Sequence, residues 1–213
     1  MQIRKFRHSC LHVVDGDASI LIDPGTLSVG YDSVTGLTAV LLTHGHADHL
    51  DPDGLARVLA ANPQATVYAD HEVAAHVAEH PAAAGVTVTV VRPGDVLDVG
   101  TGVRVSGGQH AVVHADIPRV PNVCYLIGDT LFHPGDSLVA PESPVPVLAL
   151  PVSAPWMAIK EAVEYLRAVA PSRAIPIHEQ GLASPAMAYR IISSLAAGGT
   201  RWTDIDDGSV LEV

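Results

Sequence analysis

The sequence predicts an α/β fold with α+β character: two mixed β-sheets packed face to face, with helices outside. Three observations carry that prediction. Hydrophobic residues make up 48 % of the 213 but aromatic residues only 4 %, so the core is built from Val, Leu, Ile and Ala, as in a sheet covered by helices. The first half alternates short apolar strands with amphipathic helical segments. The second half again runs from strands to helices, without a sequence repeat, and no low-complexity linker divides the chain, so residues 1–213 read as one domain.

Taken in order, Ile3 to Arg7 and Leu11 to Val14 read as short strands. Gly16-Asp17 makes a turn, and Ala18 to Ile22 returns as a third strand ended by Asp23-Pro24-Gly25. Residues 26–37 read as a loop, and Thr38 to Leu42 as the next strand. Asp51 is placed as N-cap, with Pro52 at N1 of a helix whose Leu55, Val58 and Leu59 share one face. Asn62-Pro63 ends that helix, and Thr66 to Tyr68 is a strand. Asp70 caps a second helix that runs through His80 and stops at Pro81. Val86 to Val91 is a β-branched strand, followed by a short one near Val96 and a longer one from Gly102 to Ser106. Val123 to Ile127 and Thr130 to His133 pair through the turn signal Gly128-Asp129. Val145 to Leu150 is a buried strand. Trp156 to Ala170 is an amphipathic helix with Ile159, Val163, Leu166 and Ala170 at helical spacing. Arg173 to Ile177 is a strand ending at His178. Ala186 to Ala197 is the last long helix, closed by Gly198-Gly199, and Trp202 to Ile205 with Ser209 to Leu211 form a terminal hairpin.

Formal net charge is −11 and no Lys/Arg block occurs, which argues against nucleic acid and against an anionic membrane surface as partners. No apolar run approaches a membrane span, and the N-terminus lacks the apolar stretch of a signal peptide. A cytoplasmic protein with a small-molecule substrate is the expectation, with homo-oligomerisation left open. Cys10 and Cys124 are the only cysteines, and a reduced pair is expected.

Twelve histidines direct attention to metal. The densest stretch is Thr43-His44-Gly45-His46-Ala47-Asp48-His49-Leu50, on a loop between a strand and a helix, where open α/β sheets place their sites. His44 and His46 are two apart and share one side of an extended segment, whereas Asp48 and His49 diverge on a tight turn. One loop can therefore feed two neighbouring ions. Imidazole with carboxylate suits Zn²⁺, and also admits Mn or Fe. Three further ligand types follow apolar runs: His110 after a Gly-Gly pair, Asp136 in His133-Pro134-Gly135-Asp136-Ser137, and His178 in Pro176-Ile177-His178.

This series resembles the metallo-β-lactamase superfamily: a His-x-His-x-Asp-His loop, a later His, a Gly-Asp and a last His. The match is strongest to the branch of small metal-dependent hydrolases that includes L-ascorbate-6-phosphate lactonase. That branch opens with a His-Ser, here His8-Ser9, then an Ile-Asp-Pro, here Ile22-Asp23-Pro24, and carries a Leu-Pro, here Leu150-Pro151. It has Gly where this chain has Arg7, and Gly-Asp-Thr where this chain has Gly135-Asp136-Ser137. The resemblance covers residues 3 to 180 or so. It implies a four-layer αβ/βα sandwich with metals at one edge. It implies that His44, His46 and His110 hold one Zn²⁺, that Asp48, His49 and His178 hold a second, and that Asp136 bridges them. It further implies hydrolysis of a lactone or similar ester-like substrate by a hydroxide shared between the ions, with Asp48 orienting it. A phosphodiesterase using Arg7 or Arg119, and a non-catalytic metal scaffold, are the alternatives. His8 is given either a substrate-orienting or acid role or a structural one. His114 is an alternative ligand to His110, and His133 either lines the pocket or supports it. Asp23 either fixes the tautomer of a ligand His or only makes a turn. His12, His71, His76 and His80 are placed on the surface or in packing, and Cys10 is not a nucleophile.

Overall fold

The computed structural model describes residues 1–196 and 198–213. The first sheet begins as an antiparallel meander of β1 (Gln2–Lys5), β2 (Leu11–Asp15) and β3 (Ala18–Ile22). It continues in parallel through β4 (Ala39–Leu41), β5 (Thr66–Ala69) and β6 (Val88–Val90), with crossover helices α1 (Pro52–Ala61) and α2 (His71–Glu79). The second sheet repeats this plan. Its meander is β7 (Val96–Asp98), β8 (Gly102–Gly107), β9 (Val123–Ile127) and β10 (Leu131–His133). Parallel strands β11 (Val147–Pro151) and β12 (Arg173–Ile177) follow, with α3 (Ile159–Val169) between them and α4 (Ala186–Ser194) after them.

Alternation along the strands sorts side chains into three apolar layers. In β3, Ile20 and Ile22 face the second sheet and pack with Val103, Tyr125, Ile127, Ile175 and Ile177. Leu21 points the other way, to Leu55 and Val58 of α1 and Val73 and Val77 of α2. In β11, Ala149 joins the central layer, while Leu148 and Leu150 meet Val163 and Leu166 of α3 and Ile192 of α4. The result is a helix–sheet–sheet–helix sandwich, as the sequence predicts. β9 and β11 are buried throughout, hence their unbroken apolar runs.

Several boundaries differ from expectation. Residues 201–212 form no hairpin: β13 (Arg201–Trp202) adds to β12 in the second sheet, and β14 (Val210–Glu212) adds to β1 in the first. Each strand covers an open sheet edge, and Ile205 between them is buried in the central layer. α3 starts at Ile159, not Trp156, because Ala154 and Met157 pair in a tight turn and the Glu161 carboxylate accepts the Ala158 N–H at 2.6 Å. α4 ends at Ser194, and the expected end at Ala197 lies outside the described residues. Asp70 caps α2 through the N–H groups of Glu72 and Val73, as expected. Asp51 stands at the N-cap of α1 but makes no side-chain cap, since its carboxylate accepts the Tyr31 hydroxyl at 3.0 Å. Tyr31 lies in a short 3₁₀ turn (Tyr31–Ser33) within the expected loop. His80 is not idle: its Nδ1 caps a second such turn, Pro81–Ala83. Both cysteines are free and buried.

Candidate metal centre

The ends of β1, β4, β8, β10 and β12 meet at one edge of the sandwich. Each delivers a ligand type there: His8, the 44–49 loop, His110, Asp136 and His178. The Thr43 carbonyl accepts the Val123 N–H at 2.9 Å, and the His8 carbonyl accepts the His178 N–H at 3.2 Å, so both sheets are tied together beside the centre. Local backbone is unusual here. Arg7, His8, Asp23 and His178 have φ of 63°, 46°, 46° and 63°, a left-handed conformation that L residues adopt at a cost. Arg7 thus holds, with strain, a conformation natural to Gly. Gly135, with φ 58°, is obligatory: a Cβ there would overlap Asn122 and Thr43. Asn122 in turn accepts the Asp136 N–H at 2.9 Å and donates to the Pro134 carbonyl, fixing the turn that presents Asp136.

Acceptor-only partners set the histidine tautomers. His49 Nδ1 lies 2.7 Å from Asp23 Oδ2, His110 Nδ1 2.7 Å from the Ala111 carbonyl, and His178 Nδ1 2.6 Å from the Ser153 carbonyl. Each Nδ1 must therefore donate, which turns each Nε2 toward the centre. The Thr43 hydroxyl donates to Asp23 at 2.7 Å, so its lone pair receives the His44 Nδ1–H at 3.1 Å. Asp23 thereby orients His49 directly and His44 through Thr43.

The inward atoms fall into two groups, each with its ligand atoms within 4.8 Å of one another: His44, His46, His110 and Asp136; and His8, Asp48, His49 and His178. Asp136 touches both. Its Oδ2 is 3.3 Å from His110 Nε2 and 3.2 Å from His178 Nε2, and its Oδ1 is 3.1 Å from His49 Nε2. Nε2 of His49, His110 and His178 and Oδ1 of Asp136 are buried with no hydrogen-bond partner. Such orphaned polar atoms are costly inside a protein. Four that converge form a cradle that a cation satisfies, so the residues fit a metal centre.

Charge is strongly redistributed. Burial works against the charged form of His49, but Asp136 and Asp23 outweigh it and hold the ring well above its ordinary pKa. His178 is likewise desolvated, yet Asp136 and Asp48 raise it to about 9. Burial opposes ionisation of Asp136 and Asp48 too, but the surrounding imidazoles hold both below the usual carboxylate range. Burial and His49 push His44 well down; burial and His110 push His46 down. His8 is pushed down chiefly by burial, and its Nε2 lies 3.0 Å from Asp48 Oδ2.

All eight residues singled out in the sequence, His8, His44, His46, Asp48, His49, His110, Asp136 and His178, come together here. The alternatives resolve differently. His114 is exposed and contacts Asp116, away from the centre. His133 is buried, accepts the Gly135 N–H at Nδ1 and donates to the Ser9 carbonyl, so it buttresses two site loops. Trp156, placed on a helix by periodicity, instead donates its indole N–H to Asp136 Oδ2 at 3.0 Å. Glu179 and Lys5, unmarked in the sequence, form a buried ion pair of 2.7 Å, and Glu179 also accepts the His8 N–H at 2.9 Å.

Comparison with known proteins agrees with this geometry. A family model described as Beta-lactamase superfamily domain matches residues 2–178. Protein Rv0786c of Mycobacterium tuberculosis is 48 % identical over 185 residues, spanning 84 % of each chain. The UPF0173 metal-dependent hydrolase MJ1163 of Methanocaldococcus jannaschii is 25 % identical over 198 residues, spanning 81 % of this chain and 82 % of its own. Igni18, a metallo hydrolase of Ignicoccus hospitalis, shares the fold with a TM-score of 0.72 at 20 % identity, spanning 100 % of this chain and 98 % of its own. The chain belongs to the metallo-β-lactamase superfamily.

Proposed function

We propose that this protein is a zinc-dependent hydrolase with two metal ions that acts on a small ester-like substrate such as a lactone. The observation that carries the reading is the convergence of three tautomer-fixed Nε2 atoms and Asp136 Oδ1, all buried and unpartnered, on one point of the fold. His44, His46 and His110 would hold one ion, Asp48, His49 and His178 the other, and Asp136 would serve both. Mixed imidazole and carboxylate donors suit zinc, and the same set accommodates Mn or Fe. When bound, such a pair lowers the pKa of water to about 7 and polarises a carbonyl, so hydroxide is available at neutral pH.

The chain's own part is to orient and to hold protons. Asp48, itself partly exposed, accepts from His8 Nε2 at 3.0 Å. Burial keeps the His8 ring neutral near pH 7, so its Nε2 proton rests on Asp48. We assign to His8 an orienting role: its Nε2–H holds the Asp48 carboxylate and the ring stays neutral, because a neutral imidazole that gave up this proton would be left as an imidazolate. A phosphodiester substrate is the second reading, favoured by Arg119, whose Nε donates to the His110 carbonyl at 2.8 Å and so parks a guanidinium beside the centre.

The test is hydrolysis of a panel of lactones, esters and phosphodiesters by zinc-loaded protein. Turnover of a lactone, reduced at least 100-fold in Asp48→Asn, is the expected result. Preference for phosphodiesters, lost in Arg119→Ala, supports the second reading. Inertness to the whole panel with two ions bound contradicts both and leaves a metal scaffold.

A further inference from the structure

We propose that Trp156 is a positioning residue of the metal centre: its indole N–H fixes the Asp136 carboxylate in the orientation that spans the two ligand groups. The proposal rests on the reading of Asp136 as a ligand shared by two ions.

Apart from the ligand histidines, whose Nε2 atoms lie 3.1–3.3 Å from the Asp136 carboxylate and would turn to a metal, the Trp156 N–H is the one side-chain donor to that carboxylate among the described residues, at 3.0 Å on Oδ2. The torsion that turns a carboxylate is broad, so a buried Asp is not held by its rotamer alone. One donor on Oδ2 fixes the plane. It leaves Oδ2 between His110 and His178 and directs the unpartnered Oδ1 at His49. An indole suits this task chemically. It donates one hydrogen bond and has no lone pair to offer a metal, so it cannot compete as a ligand. Its ring also meets His110 edge-on, with centroids 5.8 Å apart at 76°.

The backbone around Trp156 points the same way. Val152 N–H donates to the Ile177 carbonyl, the Ser153 carbonyl accepts the His178 Nδ1–H at 2.6 Å, and Ala154 pairs with Met157. Residues 152–157 therefore form a strap between β11 and α3 that orients two site residues, His178 by its backbone and Asp136 by the indole. This explains why α3 starts three residues late: a helix from Trp156 would carry the indole away from Asp136.

The experiment is a stepwise zinc titration of metal-free protein against a chromogenic chelator, for wild type and Trp156→Phe, which keeps a ring and removes the donor. Two ions are expected in wild type. In Trp156→Phe the weaker ion is expected to bind about 10- to 100-fold less tightly, the usual loss when a hydrogen bond to a ligand is removed. Equal stepwise affinities in both proteins overturn the proposal while leaving the dinuclear reading intact. Fewer than two ions in wild type overturns that reading, and the proposal with it. A second measurement covers a variant that fails to fold. The wild-type indole ¹⁵N–¹H resonance of Trp156, identified in Trp202→Phe protein, is expected to shift on zinc loading. A resonance that zinc leaves unmoved overturns the proposal.

Discussion

Asp23 governs the centre without being one of its ligands, since it orients His49 directly and His44 through Thr43. Asp23→Asn can present an N–H to His49 Nδ1 and so reverse the tautomer. Zinc affinity, read by chelator competition, is expected to fall about 10- to 100-fold. Unchanged affinity would remove Asp23 from the account. The charge pattern makes a second claim. His49 and His178 are raised by facing carboxylates, His178 to about 9, so both carry protons in the metal-free protein at pH 7. A metal must displace those protons, so binding should tighten as pH rises from the ordinary imidazole value near 6.5 toward 9. Calorimetry in buffers of different ionisation enthalpy would show proton release at pH 7; a pH-independent affinity contradicts it. The ligands are readable from the sequence because His44, His46, Asp48 and His49 cluster within six residues and His110, Asp136 and His178 each follow an apolar run. Trp156 is not, because its partner is twenty residues earlier and only the β10–β11 topology joins them. The surviving clue was its rarity, as one of two Trp in the chain.

Among the elements, the strand ends carry the function and the helices carry the burial. β1 and β12 are locked by Lys5 and Glu179, both buried. Removing one partner strands a buried charge. Glu179→Ala is expected to cost about 3 kcal/mol, the lower end for such a loss because Asp206 stays 3.7 Å from Lys5. Urea unfolding at pH 7 measures it. Burial opposes the Glu179 charge, but Lys5 outweighs burial and holds the group below 4.5. Its contribution is therefore full above that value and lost as pH falls through the folded pKa, so wild type and variant should converge in acid. A gap that persists at low pH would assign the effect to packing. β9 and β12 match the sequence reading to the residue, because each is a short, mostly apolar run bounded by turn or polar residues. β13 and β14 were misassigned as a hairpin, since short terminal strands state their pattern but not which sheet edge they complete.

At the scale of the molecule, two similar halves meet where the ligands lie, and each half supplies part of both ligand groups or their supports. The first half brings His8, Asp23 and the 44–49 loop; the second brings His110, Asp136, Trp156 and His178. Metal should therefore stabilise the joint. At free zinc 100 times the dissociation constant, linkage gives about 2.7 kcal/mol per site. Thermal unfolding with and without chelator tests this, with a lower midpoint expected without metal; identical midpoints contradict it. The layered architecture could be read from composition and alternation because those depend on local pattern. The pocket walls could not, because they come from loops such as 111–121 whose course depends on distant contacts like that of Arg119 with His110.

The most direct test of the dinuclear centre is metal content per chain, by elemental mass spectrometry on protein purified without chelator. Two zinc ions per chain are expected, with a marked loss in Asp136→Ala. One ion or none per chain, unchanged by that substitution, would contradict the centre described above.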